Sequence, residues 1–229
     1  MNVAEVLKKK IDAGQNVLTE FESKELFQEI GIPVPAQNLT ITKEETISAA
    51  KEIGFPVVLK LMAEDVVHKS DSGAVKLNIK NEEETRQAYD ELMKIEAKSE
   101  KKISVQKMAD EPITELIIGM TTDPQFGPAL MFGIGGILVE LLEDVSFRIA
   151  PVTEYDCNEM IREIKGFPIL DGYRGKPKAD INAIVDTLMK ISELVIKHEE
   201  IYEMDLNPVF TYEKGLICVD ARIILKKKE

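Results

Sequence analysis

Two strand-like runs, VVLKL (57–61) and AVKLNI (74–79), enclose the loop sequence AEDVVHKSDSG (63–73). Each run has the length and apolar content of a strand packed in a core. The loop contains His68, one of two histidines in the chain, among the lysine, serine and glycine residues that commonly surround phosphate. Because neutral imidazole is nucleophilic, His68 is a candidate phosphoryl acceptor. The alternative is a loop histidine without a chemical role.

Helical patterns and further strand patterns flank this unit on both sides. Capping-box spacings at Asn2/Glu5, Thr19/Glu22 and Thr42/Glu45 mark helix starts. The predicted helices are 2–13, 19–30, 43–53, 82–97, 153–164 and 180–198. The predicted strands are 38–41, 56–61, 74–79, 103–108, 114–121, 128–134, 145–151, 201–210 and 216–225. This mixture, with short connections, predicts an α/β (α+β) fold.

The organisation along the chain predicts two lobes. Residues 16–110 form the expected small lobe, and residues 111–229 together with helix 1–15 form the expected large lobe. The join near 109–112 is polar and contains a proline. A cleft between two lobes is a common place for a ligand.

Composition excludes several partners. The chain has 229 residues and a formal net charge of -12, which argues against nucleic acid or an anionic membrane as partner. No apolar run approaches the ~20 residues of a membrane span. Cys157 and Cys218 have no metal-ligand spacing, and the N-terminal residues lack a signal-peptide pattern. These observations predict a cytoplasmic protein.

The C-terminal strands predict a candidate metal site. Asp205 and Asn207 alternate along one strand and therefore share a face. A hairpin centred on the turn at 213–215 places Asn207 opposite Asp220, and Asp205 opposite Arg222. An amide oxygen and a carboxylate at that spacing can share one Mg²⁺. The alternative is an ordinary hairpin with a surface Asp205–Arg222 pair.

Four further residues are candidate phosphate contacts. Lys60 ends an apolar run, where it suits a phosphate contact or is a lysine that extends its ammonium group to solvent. Ser72 and Gly73 can present backbone N–H groups to phosphate or form a plain turn. Arg148 lies within an apolar strand, so its partner is expected to be a carboxylate or a ligand phosphate.

The nucleoside has its own candidate residues. The strand at 103–108 ends at the lobe boundary, where backbone groups can contact an adenine edge. Glu115 on the next strand can accept a hydrogen bond from a ribose hydroxyl. The alternative is a strand followed by a solvated glutamate.

Taken together, these stretches resemble the β subunit of ADP-forming acetyl-CoA synthetase (acetate–CoA ligase, ADP-forming), an ATP-grasp protein. The resemblance covers roughly residues 10–225. The stretches that carry it are GFPVVLK (54–60), HKSDSGAV (68–75), FGIGG (132–136), DLNP (205–208) and VDAR (219–222).

The resemblance implies a two-lobed ATP-grasp fold with the nucleotide in the cleft between the lobes. It implies the reversible reaction acyl-CoA + ADP + phosphate = carboxylic acid + CoA + ATP. The phosphoryl group would pass from a phosphohistidine of a CoA-binding α subunit to His68 and then to ADP. The chain would be active only with that subunit, in an α2β2 heterotetramer, and residues 64–73 would have to move.

The resemblance also assigns the site residues by class. They are Lys60, Ser72 and Gly73 for the phosphates of ADP or ATP; Lys107, Met108 and Glu115 for the nucleoside; Asn207 and Asp220 for Mg²⁺; and Arg148 for the transferred phosphate. Two alternatives stay open at this point. One is a stand-alone ATP-grasp carboxylate–amine ligase, and the other is a non-catalytic nucleotide-sensing subunit.

Overall fold

The computed structural model describes residues 3–63, 73–136 and 143–227. The predictions that concern Asn2, His68, Ser72 and movement of residues 64–73 fall wholly or mainly outside these ranges. The chain divides into two compact units. The larger unit is Met1–Val34 with Glu111–Glu229, and the smaller unit is Pro35–Asp110.

The described part of the chain contains seven α-helices and eleven strands. The helices are α1 Val3–Asp12, α2 Glu20–Glu29, α3 Lys43–Ile53, α4 Glu82–Leu92, α5 Glu154–Glu163, α6 Phe167–Leu170 and α7 Ile181–Lys197. The strands are β1 Val17–Leu18, β2 Gln37–Thr40, β3 Val57–Met62, β4 Val75–Ile79, β5 Lys102–Lys107, β6 Thr114–Asp123, β7 Gly127–Ile134, β8 Val145–Ile149, β9 Ile201–Thr211, β10 Leu216–Cys218 and β11 Ala221–Leu225. The predicted α/β (α+β) class is confirmed.

The predicted helix caps are confirmed where the structure describes them. The hydroxyl groups of Thr19 and Thr42 each accept from the N–H three residues later, and the carboxylates of Glu22 and Glu45 return the bond. Gly54 ends α3 with a φ of 83°, a backbone region that favours glycine. These local signals set the ends of α2 and α3, and thereby the positions of the strands beside them.

The larger unit contains an antiparallel sheet in the order β1-β11-β9-β6-β7-β8, with β10 paired to β9. Met204 and Leu206 of β9 join the same apolar core as Phe27 of α2, Met160 of α5 and Leu188 of α7. We call the side of the sheet that carries these core residues the helix-packed face. The side that carries the alternate residues, including Asp205 and Asn207, is the far face.

The smaller unit has a four-stranded antiparallel sheet in the order β2-β5-β3-β4. Leu59 and Leu61 of β3 and Val105 of β5 form its core with residues of α3 and α4. The alternate positions of β3 and β5 therefore lie on the other face of this sheet, and they include Lys60.

One segment differs from the predicted lobe boundary. Residues 16–34 were expected in the small lobe, but the structure places them in the larger unit. Leu18, Phe27 and Ile32 are each at most 1% exposed and belong to the larger core. The amphipathic helix α2 needs an apolar surface to cover, and the larger sheet provides it.

Two further features of the chain bear on its surroundings. In the described ranges, none of the helices is both long enough and apolar enough to cross a lipid bilayer. Cys157 and Cys218 are both buried, and neither forms a disulfide. Burial, followed by the charges of Asp156 and Glu154, raises the pKa of the Cys157 thiol to about 11.

Candidate functional site

The predicted hairpin register is confirmed. Arg222 pairs with Asp205, Leu216 pairs with Thr211, and the N–H of Tyr212 donates to the carbonyl of Gly215. The turn at 213–215 therefore fixes the alignment of β9 with both β10 and β11. The predicted single strand at 216–225 is interrupted at Val219 and Asp220, which lie in a bend between β10 and β11.

This register brings Asn207 and Asp220 next to each other. The N–H of Asn207 donates to the carbonyl of Asp220 at 3.2 Å. The carboxylate of Asp220 accepts from the N–H of Ala221 at 2.7 Å. The side chain of Asn207 is exposed, whereas Leu206 beside it is fully buried on the helix-packed face. An amide residue on β9 and a carboxylate residue in the bend between β10 and β11 therefore face each other partway along this hairpin.

Acidic side chains concentrate negative charge around this pair. The pKa of Asp205 is raised to about 6, first by burial and then by the charges of Asp220 and Glu203. Arg222 acts in the opposite direction but is outweighed. The charges of Asp220 and Glu203 beside Asp205 make this a place where a cation would be stabilised.

The donor set suits Mg²⁺. Within residues 3–63, 73–136 and 143–227, no group of three or more His, Cys, Asp or Glu side chains is arranged to hold a metal ion. Mg²⁺ does not require such a group, because it is usually bound by one or two carboxylates together with waters and substrate phosphates. The side chains of Asn207 and Asp220 carry an amide oxygen and a carboxylate, which are hard oxygen atoms of this kind.

Glu115 belongs to the same face. Leu116 and Ile118 are fully buried on the helix-packed face, so alternation along β6 places Glu115 on the far face. Its carbonyl accepts from the N–H of Gly135 at 2.7 Å. A Cβ at Gly135 would lie 3.3 Å from the backbone of Glu115, so the loop after β7 can approach β6 closely because this residue is glycine.

Arg148 lies on the helix-packed face, on the other side of the sheet from this group. Arg148 pairs across the strands with Leu130, which is a core residue on the helix-packed face. Asp205 pairs with Gly119, and both lie on the far face. The guanidinium group of Arg148 contacts the carboxylate of Glu163 on α5 at 2.8 Å. The partner of this arginine is therefore a carboxylate on a covering helix, the other possibility that its sequence context allowed.

In the smaller unit, Lys60 lies in a buried polar cluster. Lys60 is 4% exposed and pairs across the strands with Ser104, and Val58 pairs with Gln106. Ser104 and Gln106 are 0% and 1% exposed, and the amide of Gln106 donates to the hydroxyl of Ser104 at 3.0 Å. Lys60 therefore does not extend its ammonium group to solvent, which was one of the two predicted possibilities.

Lys107, Met108 and Gly73 also lie in the smaller unit. The ammonium group of Lys107 donates to the carbonyls of Gly54 and Phe55 at 2.8 and 3.1 Å. The N–H of Met108 donates to the carbonyl of Pro56 at 3.2 Å. These bonds tie the end of β5 to the loop before β3, so the Lys107 side chain has a structural role there. Gly73 has a φ of 69°, which favours glycine.

Sequence reasoning missed Ser104 and Gln106 as companions of Lys60. Their signal was present, because polar residues alternate with Ile103 and Val105 along a strand. Such alternation shows that one face is not part of the apolar core. The burial of that polar face depends on tertiary packing and is not encoded in the strand itself.

A family model, a related sequence and solved structures all match most of this chain. The model of the ATP-grasp domain family matches residues 9–225. The β subunit of acetate–CoA ligase [ADP-forming] I from Pyrococcus furiosus is 47% identical over 223 residues, which cover 94% of this chain and 95% of that one.

Two solved structures of dinucleotide-forming acetyl-coenzyme A synthetase 1 from Ca. Korarchaeum cryptofilum are also similar. The complex with coenzyme A, Ca-AMPCP and HgCl⁺ has 46% identity and a TM-score of 0.93, covering 98% of this chain and 100% of that chain. The complex with coenzyme A and Mg-AMPPCP has 47% identity and a TM-score of 0.89, with the same coverage. The phosphohistidine segment of that second structure points towards the nucleotide-binding site.

Proposed function

Because the chain belongs to the ATP-grasp family, and within it to the β subunits of ADP-forming acetate–CoA ligases, we propose that it is the nucleotide-binding β subunit of an ADP-forming acyl-CoA synthetase. The reaction is acyl-CoA + ADP + phosphate = carboxylic acid + CoA + ATP. The observation that carries this proposal is the 47% identity to a β subunit of which this chain covers 95%.

Mg²⁺ is the metal that we assign to Asn207 and Asp220. The ion would neutralise phosphate charge and orient the nucleotide for transfer. The paired register and the acidic surroundings of these residues support this assignment. Glu115 on the same face is the proposed acceptor for a ribose hydroxyl.

The smaller unit supplies the other proposed nucleotide contacts. Lys60 and the backbone at Ser72 and Gly73 are assigned to the phosphates, and the backbone at Lys107 and Met108 is assigned to the base. The position of Lys60 beside Ser104, on the polar face of this sheet, supports its role. We assign no contact with phosphate to Arg148.

His68 is the proposed phosphoryl carrier. A ring nitrogen of neutral His68 attacks the phosphorus of the α-subunit phosphohistidine, so one N–P bond forms as the other breaks. A terminal phosphate oxygen of ADP then attacks, which releases His68 and gives ATP. The phosphohistidine segment described for the similar Korarchaeum structure supports this role.

A CoA-binding α subunit is the proposed partner, since the similar Pyrococcus protein is named as a β subunit. We propose an α2β2 assembly in the cytoplasm. Acyl-group selection would then belong to the α subunit, and the β chain alone would not complete the reaction.

Reconstitution tests the proposal. The chain is mixed with a CoA-binding α subunit from the same source, acetyl-CoA, ADP, phosphate and Mg²⁺, and ATP formation is followed. Replacing His68→Ala should lower the rate by at least about 1,000-fold, because the covalent carrier is lost.

His198→Ala is the matched control, because it removes the only other histidine. His198 ends α7 and contacts Glu200 at 3.2 Å, so this variant should retain activity within about twofold. A His68→Ala chain that makes ATP at the wild-type rate would exclude the relay. An absence of ATP formation by the wild-type pair would exclude the proposed reaction.

A further inference from the structure

A buried ion pair lies at the start of α2. The ammonium group of Lys24 contacts the carboxylate of Glu20 at 2.9 Å, and these side chains are 0% and 2% exposed. Removing two charges from water is costly, and a buried pair is often no more stable than an apolar pair of the same volume. A gain in folding stability therefore does not by itself explain why a charged pair occupies this place in the core.

Lys24 has a second contact, and it leads to the bend between β10 and β11. Its ammonium group donates to the carbonyl of Val219 at 3.1 Å. The N–H of Val219 donates to the carbonyl of Pro208 at 3.0 Å, and the N–H of Cys218 donates to the carbonyl of Pro33 at 2.8 Å. The peptide groups of this bend are thus held by α2, by β9 and by the segment after α2.

The next residue in the bend is Asp220. Its carbonyl accepts from the N–H of Asn207 and from the thiol of Cys218, at 3.2 Å in both cases. A rotation of the peptide group between Val219 and Asp220 would change the backbone torsion angle φ of Asp220 and thereby the orientation of its side chain and carbonyl towards Asn207. The donor from Lys24 opposes that rotation, because a charge-assisted hydrogen bond is stronger than a neutral one.

We propose that Lys24, held by Glu20, is a positioning residue for the metal site, because its bond to the Val219 carbonyl sets the place of Asp220 relative to Asn207. This inference rests on the proposed function, which assigns Mg²⁺ to these two residues. Lys24 acts through the backbone and touches neither the metal nor the nucleotide.

Metal binding provides the test. The full chain is saturated with ADP, and Mn²⁺ is titrated as the probe while free Mn²⁺ is measured by electron paramagnetic resonance. The double variant Glu20→Gln with Lys24→Met removes both charges together, so no buried charge is left unpaired. We expect about tenfold weaker Mn²⁺ binding, within the range seen for groups that orient metal ligands. ADP binding without metal should remain within about twofold of the wild type.

Two controls separate positioning from general destabilisation. Lys190→Met removes a partly exposed lysine with the same pattern of contacts, since it contacts Asp186 at 2.7 Å and donates to the carbonyl of Gly31 at 2.7 Å. Leu188→Ala lowers stability through the same core. Both should bind Mn²⁺ as the wild type does. If the first double variant does not fold, Glu20→Gln with Lys24→Gln replaces it, with the same expected loss.

The outcomes are distinct. Wild-type Mn²⁺ affinity in a folded, charge-free variant overturns the role of Lys24 while leaving the metal site intact. An equal loss in Leu188→Ala also overturns it, since a general weakening of the core would then be sufficient. If wild-type protein binds ADP but Asn207→Ala with Asp220→Ala leaves Mn²⁺ binding unchanged, the proposed metal site itself fails, and the inference fails with it.

Discussion

On strand β9, the helix-packed face and the far face of the larger sheet are one residue apart. Met204 and Leu206 are 2% and 0% exposed and pack in the core, whereas Asp205 is partly buried and Asn207 is exposed. Over residues 204–207, neighbouring positions thus serve different purposes. Met204 and Leu206 pack under the helices, and Asp205 and Asn207 carry groups that can bind a cation.

On strand β8, the exposed positions are apolar and the helix-covered positions are polar. Phe147 and Ile149 are 51% and 45% exposed on the far face, while Ser146 and Arg148 lie on the helix-packed face. The hydroxyl of Ser146 donates to the carbonyl of Met160 at 2.8 Å, and Arg148 pairs with Glu163. Helix α5 therefore provides polar partners for this strand. Face assignment follows from the register of the whole sheet and can oppose the local apolar pattern.

The largest expected effect is on the far face. Asn207→Ala combined with Asp220→Ala should lower ATP formation by about 1,000-fold, because metal stabilisation of transferred phosphate is worth several kcal/mol. The reconstituted enzyme is assayed over a range of Mg²⁺ concentrations, and the half-saturating concentration should rise.

Leu206→Ala is the control for that prediction, because it changes the residue next to Asn207 on the opposite face. Its expected cost is about 2–5 kcal/mol of unfolding free energy, measured by urea denaturation, with the Mg²⁺ dependence retained. If Asn207→Ala with Asp220→Ala leaves the Mg²⁺ dependence unchanged, or if Leu206→Ala alters it, then metal binding does not belong to the far face alone.

A smaller effect should appear in the pH dependence of stability. Burial, Asp220 and Glu203 raise the pKa of Asp205 to about 6 in the folded chain, above its ordinary value. The native state therefore holds this proton more tightly than the unfolded state. The contribution of Asp205 to stability is greatest at low pH, falls as the pH rises from about 4 to about 6, and is constant above that range.

Urea denaturation without Mg²⁺ between pH 4 and pH 7 measures this slope. Asp205→Asn should make the slope less negative, because the titrating group is removed. Glu213→Gln, a change in the turn at the far end of the hairpin, is the matched control. A slope in Asp205→Asn equal to that of the wild type would show that the negative cluster is weaker than its geometry indicates.

The smallest expected effect is that of Arg148→Ala. Its ion pair with Glu163 is partly exposed, so the loss of stability should be at most about 1 kcal/mol and ATP formation should stay within about twofold. Kinetics of the reconstituted enzyme measure the rate, and Glu163→Gln should behave in the same way. A loss of about 100-fold in the rate of ATP formation in Arg148→Ala alone would instead support a contact between this arginine and phosphate.

Local signals explain what the sequence could predict. The Thr19/Glu22 and Thr42/Glu45 spacings located helix starts, because a capping box needs only residues three apart. The turn at 213–215 predicted the pairing of Asp205 with Arg222, because a short hairpin fixes its own register. The site at Asn207 and Asp220 followed from that register.

Tertiary contacts explain what it could not predict. The orientation of Arg148 depends on β7 and α5, which are not its neighbours in a hairpin turn. The place of residues 16–34 depends on which sheet α2 covers. The carbonyl that Lys24 contacts is 195 residues away along the chain. No local pattern contains this information, because each contact is chosen by packing between distant segments.

The buried cysteines have a practical consequence. The thiolate is the form of cysteine that reacts with electrophiles, and Cys157 and Cys218 are both 0% exposed. With its pKa raised to about 11, Cys157 has almost no thiolate at neutral pH. The two native cysteines of the folded chain should therefore react very slowly with thiol reagents. A fluorophore or spin label can be attached at a chosen surface position without first removing either native cysteine.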